Sequence, residues 1–204
     1  MRVAVVALGK IGLPLAVRFA EAGHQVIGAD ANASVVEQVN TAVPPFPGEA
    51  GLDEKLTSVV HRGLLTATTD TASAVGDVEA VVVVVPLFVD GKGHPDFAWL
   101  DSATDDIGRG LRPGTLVSYE TTLPVGTTRR RFKPHLERRS GLVEGEDFHL
   151  VFSPERVLTG RVFADLRRYP KLIGGLPACK YSGNIGQCPV HNEPGLLRAH
   201  NDGA

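Results

Sequence analysis

Cysteine is scarce: two residues in 204, Cys179 and Cys188, provide neither a disulfide framework nor a four-ligand zinc site. A charge excess is lacking too. Lysine and arginine number 21 against 23 acids, and the formal charge of −2 gives no reason to propose nucleic acid or an anionic membrane as a partner. No apolar run approaches the roughly 20 residues that span a bilayer. The opening apolar run is interrupted by Lys10 and followed by Pro14, so it lacks a signal-peptide layout and reads as a buried strand. What is left is an ordinary globular composition, 43% apolar and 22% charged, which suits one large α/β domain or one domain and a tail. The cytoplasm is the default location, and no metal is expected.

What is present is concentrated in residues 1–30. The β-branched stretch RVAVVA at 2–7 predicts a buried strand, and LGKIG at 8–12 a tight glycine turn. Residues 14–22 carry helical spacing closed by Gly23, and a second apolar run at 25–29 ends on Asp30. Strand, glycine turn, helix, strand and acid, near the usual twenty-residue spacing, form the pattern of a dinucleotide-binding β-α-β unit. Gly9 and Gly12, with Lys10 and Ile11 between them, let backbone amides approach a pyrophosphate. The helix N-terminus adds unpaired N–H groups and the positive end of its dipole. Asp30 can accept hydrogen bonds from both ribose hydroxyls and repels a 2′-phosphate, which argues for NAD over NADP. The first position of G-x-G-x-x-G is Ala7, and alanine is tolerated there if the turn keeps a negative φ. The pattern alone leaves open a β-α-β unit that binds S-adenosylmethionine or nothing.

The alternation continues. Helices are expected at 34–40, capped by Asn32 or Ser34, and at 52–61 after the proline-rich break at 43–48. Strands are expected at 64–68, 80–85, 115–119 and 149–152, with an edge strand at 171–174. Asp70 reads as a helix cap, 96–111 as a helix, and 126–139 as a basic helix broken or offset at Pro134. About six parallel strands with crossover helices make an α/β fold, a Rossmann-type doubly wound parallel sheet. Ligands lie beyond the carboxyl ends of such strands, so residues 8–12, 30–32, 85–90, 120–127 and 153–160 should converge on one cleft. By spacing alone, Thr121 and Thr122 read as N-caps ahead of PVG at 124–126. Glu155-Arg156 reads as a surface ion pair that only a shared cleft would make a site.

Several motifs in order carry a resemblance: LGKIGLPLA at 8–16, GL at 51–52, TTLPVGT at 121–127, SPERVL at 153–158 and IGG at 173–175. Together they resemble the UDP-glucose/GDP-mannose dehydrogenase family, over residues 1–176 and within its N-terminal NAD-binding domain. The SPERVL form is most similar to the branch that oxidises UDP-N-acetylhexosamines such as UDP-N-acetylmannosamine. The resemblance implies oxidation of the C6 alcohol of a UDP-sugar to a carboxylate in two NAD-dependent steps, for surface polysaccharides. A homo-oligomer is implied for the full-length family. Gly9, Ile11, Gly12 and Asp30 then match the cofactor turn and ribose acid. Thr122 matches a threonine that contacts the cofactor and helps hold a catalytic water. Glu155 matches an acid beside the reacting sugar carbon, where a carboxylate can order water or assist proton transfer. Arg156, Val157 and Leu158 continue the substrate side. Arg156 would help shape the sugar pocket or hold Glu155 charged, or else only pair with a surface acid such as Asp165. Where many relatives have threonine-proline after the fourth strand, this chain has Val85-Pro86, so that cofactor loop lacks its hydroxyl.

After Leu176 the sequence changes character. The family's lysine and asparagine on a long helix, and its nucleophilic cysteine in a glycine-rich loop, are not reproduced. Lys180 and Asn184 repeat a Lys-x-x-x-Asn spacing, but Gly183, Gly186 and Pro189 oppose a helix, and Cys188 lacks a downstream Lys-Asp. A metal knot from Cys179, Cys188, His191 and His200 fits no standard spacing. The expectation is an NAD-binding domain at 1–176 and an irregular, disordered tail at 177–204, with the C-terminal half missing and the chain inactive alone. A non-catalytic NAD-binding module and a β-hydroxyacid-type dehydrogenase remain as alternatives. The Thr122 and Glu155 motifs favour the nucleotide-sugar enzyme over the latter.

Overall fold

Short runs of valine and alanine, apolar on both faces, form the centre of a sheet covered on both sides. The computed structural model describes residues 1–176. The expectations for 177–204, including the disordered tail and the readings of Cys179, Lys180, Asn184 and Cys188, lie outside the described residues. The chain opens with β1 (Arg2–Val6), α1 (Gly12–Glu21), β2 (Gln25–Ala29), α2 (Ala33–Asn40), α3 (Leu52–His61) and β3 (Leu65–Thr68). It continues through α4 (Thr71–Gly76), β4 (Ala80–Val83), a hairpin of β5 (Phe88–Val89) and β6 (Pro95–Asp96), α5 (Ala98–Gly110) and β7 (Leu116–Tyr119). A π-helical turn (Thr128–Phe132), α6 (Lys133–Ser140), β8 (His149–Phe152), α7 (Val162–Arg168) and β9 (Gly174–Gly175) follow.

The main sheet has the order β3-β2-β1-β4-β7-β8-β9. Its first six strands are parallel, and β9 runs antiparallel to β8. The order reverses between β1 and β4, the crevice where doubly wound sheets take their ligands. Alternation along β1 builds two cores: Val3 and Val5 pack with side chains of α1, α3 and α7, while Ala4 and Val6 pack with α4, α5 and α6. No helix of the described residues is long and apolar enough to cross a membrane. Among the same residues no group of three or more His, Cys, Asp and Glu side chains could hold a metal ion.

Local chemistry explains where the elements depart from the expected bounds. Asn32 and Asp70 cap α2 and α4, accepting from the amides of Ser34 at 3.0 Å and Ser73 at 2.9 Å. The strand expected at 80–85 ends at Val83, because the Val85 carbonyl turns aside to accept the Thr121 hydroxyl at 2.6 Å. The helix expected from 96 begins at Ala98, since Asp96 is paired in the hairpin and its side chain accepts from the Ala98 amide. The basic helix starts late, at Thr128, after Gly126 with φ +84°, and Pro134 is accommodated in the first turn of α6. The edge strand is Gly174–Gly175 rather than 171–174. The hairpin and α7 are further elements.

Beneath the sheet, Tyr119 stacks on Phe132 at 4.4 Å, and its hydroxyl meets Thr104 Oγ1 at 2.7 Å. α4 and α5 meet at backbone contact: a Cβ on Gly110 would stand 2.1 Å from the Ala72 carbonyl oxygen, whereas one on Gly76 would find nothing nearer than 3.7 Å. Gly110→Ala should therefore lower stability by about 2 kcal/mol or more through overpacking, while Gly76→Ala should not. Urea denaturation of both variants checks this; equal effects would contradict the close approach.

Candidate functional site

Parallel register brings the strand ends into line. Val6 stands opposite Ala29 and Val83, Ala29 opposite Thr68, Val83 opposite Tyr119, and Tyr119 opposite Phe152. Ala7, Asp30, Val84, Glu120 and Ser153 therefore leave the sheet in one row. Each is still held by a ladder bond: their amides donate to the carbonyls of Ala29, Thr68, Val6, Val83 and Tyr119 at 2.8–3.1 Å. The emerging loops are tied in pairs by the Leu8 amide on Asp30 Oδ2 at 2.7 Å, the Thr121 hydroxyl on the Val85 carbonyl, and the Glu155 amide on the Glu120 carbonyl at 2.9 Å.

In the glycine turn, Ala7 adopts φ +76°, not the negative φ under which alanine was expected to be tolerated. The cause is the folding back of the chain onto α1. A Cβ at position 12 would lie 1.9 Å from the Ala7 carbonyl oxygen, so only Gly12 fits and Ala7 must enter the left-handed region. That conformation costs an alanine about 1–2 kcal/mol. Gly9 differs, since nothing in the chain approaches within 4 Å of where its Cβ would stand. The amides of Lys10, Ile11 and Gly12 donate no hydrogen bond among the described residues. α1 has no side-chain cap and no acid in its first turn. Donors without a partner in the described residues thus stand at an uncompensated helix start, the arrangement that suits a phosphate. Half-buried Asp30 accepts from Leu8 and, at 2.9 Å, from Asn32, and each carboxylate oxygen keeps further acceptor capacity.

The next loops correct several expectations. Neither Thr121 nor Thr122 caps a helix, because α6 and its preceding turn begin too late. Thr121 bonds Val85, and exposed Thr122 makes no hydroxyl hydrogen bond among the described residues. The loop at Val85 and Pro86 lacks its own hydroxyl and receives one from Thr121. Val85 is buried and Pro86 exposed.

The Arg156 guanidinium pairs with neither Glu155 nor Asp165, and Arg156 lines a groove with Pro154, Glu155, Val157, Tyr169 and Pro170. Its guanidinium donates to the Pro170 carbonyl, while Asp165 is taken by Arg161 at 2.9 Å and by the Leu158 amide at 3.0 Å. Val157 packs against the core, and Leu158 is 62% exposed. The cation beside Glu155 is Lys171, whose Nζ lies 2.6 Å from Glu155 Oε2 and 2.7 Å from Glu120 Oε2. Burial pushes the Glu120 carboxyl up to about 7; Lys171 opposes that rise and Glu155 adds to it. Sequence reasoning missed both Lys171 and Glu120. The available signal was a lysine inside the otherwise apolar stretch KLIGG, which needs a partner if the stretch is buried.

Residues 1–182 match the model of the UDP-glucose/GDP-mannose dehydrogenase family, NAD binding domain. The UDP-N-acetyl-D-mannosamine dehydrogenase of Pyrococcus horikoshii is 37% identical over 177 residues, covering 86% of this chain and 41% of the relative. The enzyme of that name from Campylobacter jejuni is 37% identical over 182 residues, covering 86% and 44%. The solved structure of the P. horikoshii UDP-D-ManNAc dehydrogenase aligns with a TM-score of 0.85 at 32% identity, over 100% of this chain and 46% of that one. A ternary complex of GDP-mannose dehydrogenase from Pseudomonas aeruginosa gives 0.82 at 28% identity, over 86% and 41%. The chain thus spans less than half the length of these relatives.

The strained turn yields a prediction. Ala7→Gly should raise stability by about 1 kcal/mol, because glycine removes the left-handed penalty while gaining some entropy in the unfolded chain. A urea midpoint that falls in this variant would contradict the positive φ.

Proposed function

From the premise that the chain belongs to the UDP-glucose/GDP-mannose dehydrogenase family, we propose that it holds NAD for oxidation of the C6 alcohol of a UDP-N-acetylhexosamine. The observation that carries this reading is the juxtaposition of the free amides of Lys10, Ile11 and Gly12 with Asp30, beyond the carboxyl ends of the strands where Glu155 also leaves the sheet. Those amides would hold the pyrophosphate and Asp30 the adenosine ribose, with Val85 and Pro86 flanking the cofactor. When bound, NAD supplies a hydride acceptor.

The chain's own groups do the rest. Thr122 offers a hydroxyl to cofactor and water, and Glu155 a carboxylate that orders water or takes a proton. Arg156 shapes the segment by bracing Pro170, with Val157 and Leu158 following on the substrate side. UDP-N-acetylmannosamine is the favoured sugar, since the relatives from P. horikoshii and C. jejuni carry that name. A place in surface-polysaccharide synthesis in the cytoplasm follows from the same reading. Residues 1–176 contain no cysteine, so a nucleophile for the second oxidation has to come from outside them.

Fluorescence titration with NADH and NADPH tests the cofactor assignment. NADH should bind at least about tenfold more tightly, because a 2′-phosphate would sit beside the Asp30 carboxylate, and Asp30→Ala should narrow that gap. Equal affinities in the unaltered chain would reject the role given to Asp30.

A further inference from the structure

The Glu120–Lys171–Glu155 cluster is built, not incidental. The three side chains are only 5%, 7% and 11% exposed. The segment bearing Lys171 is clamped at several points: the Arg156 guanidinium holds the Pro170 carbonyl, Ser153 Oγ donates to the Leu172 carbonyl at 2.8 Å, and β9 pairs with β8. Glu120 and Glu155 are themselves joined through the backbone, amide to carbonyl. Lys171 comes 16 residues after Glu155 and 51 after Glu120, on the segment that leads into the edge strand β9.

We infer that Lys171 is a positioning residue for Glu155: bridging it to Glu120, it fixes the Glu155 carboxylate at the groove lined by Pro154, Val157, Leu166, Tyr169 and Pro170 and leaves the cluster's exchangeable proton on Glu120. The inference rests on the proposed reading of Glu155 as the acid beside the sugar. Two carboxylates around one ammonium leave one negative charge withdrawn from water, and taking up a single proton relieves it. The surroundings decide which acid takes it. Glu155 Oε1 accepts the Arg156 amide at 2.9 Å, a bond that favours a charged carboxylate. Glu120 Oε1 has only the Ser118 hydroxyl, at a long 3.4 Å, and Glu120 is the more deeply buried. The other charged and titratable groups along the groove are engaged or distant in role: Arg156 on Pro170, Asp165 on Arg161, with Tyr169 on the lining. Burial raises the Glu120 carboxyl in the direction this partition requires. Glu155 is thereby kept as an acceptor while its neighbour absorbs changes in pH.

The test is a pH titration of the full chain carrying 13C at the glutamate δ-carbons. One carboxyl should titrate near neutrality. That event should vanish in Glu120→Gln and persist in Glu155→Gln at a lower midpoint. In Lys171→Met it should move up, with a tenfold or greater gain in proton affinity, and Lys171→Arg should restore it. A near-neutral event that survives Glu120→Gln and is lost in Glu155→Gln would put the proton on Glu155 and overturn the inference. An unmoved midpoint in folded Lys171→Met would do the same. If that variant fails to fold, the Glu155→Gln midpoint decides, since an unchanged value means the two acids are not coupled. NADH affinity, read on the same samples, separates this from the cofactor reading: Lys171→Met should leave it unchanged. A wild-type chain that fails to bind NADH would reject the cofactor reading alone, leaving the titrations to judge the cluster.

Discussion

The candidate site depends on one constraint: five parallel strands stop in the same row, and each first residue beyond its strand is still hydrogen-bonded to the neighbouring chain. A ladder bond is worth only about 1 kcal/mol net, but the bonds act together on a sheet buried on both faces. The positions of Ala7, Asp30, Glu120 and Ser153 are therefore inherited from the sheet. Loops placed in this way need little internal stability to present a fixed set of groups.

Much of this architecture was legible because periodicity is a local signal. The valine runs, the helix Leu52–His61 and the caps Asn32 and Asp70 follow from residue types within a turn or two of where they act. The misses come from contacts made at a distance. The end of β4 is set by Thr121, 36 residues away, and the position of β9 by pairing to β8. The φ of Ala7 depends on how close α1 comes, which no propensity encodes.

The site divides in the same way. Gly9, Gly12, Asp30, Thr122 and Glu155 could be marked from motifs, although a motif names a position without naming its neighbours. Arg156 drew attention because it follows Glu155, yet consecutive residues of an extended chain point to opposite sides. The cation that reaches Glu155 is 16 residues onward, and it reaches Glu120 across 51. Such a cluster leaves no spacing to read.

The glycine turn also bears on how the sequence can drift. Its three pattern positions answer to different masters. Position 7 can exchange glycine for alanine within the stability a domain can lose. Position 12 is frozen by the chain itself, because the carbonyl of residue 7 occupies the space of any side chain there. Position 9 meets no such neighbour, so its glycine is kept, if it is kept, by whatever approaches the turn from outside. Substitutions accumulating in a lineage that had given up its ligand would surface first at residue 9, while residue 12 stayed glycine for as long as the sheet still folded.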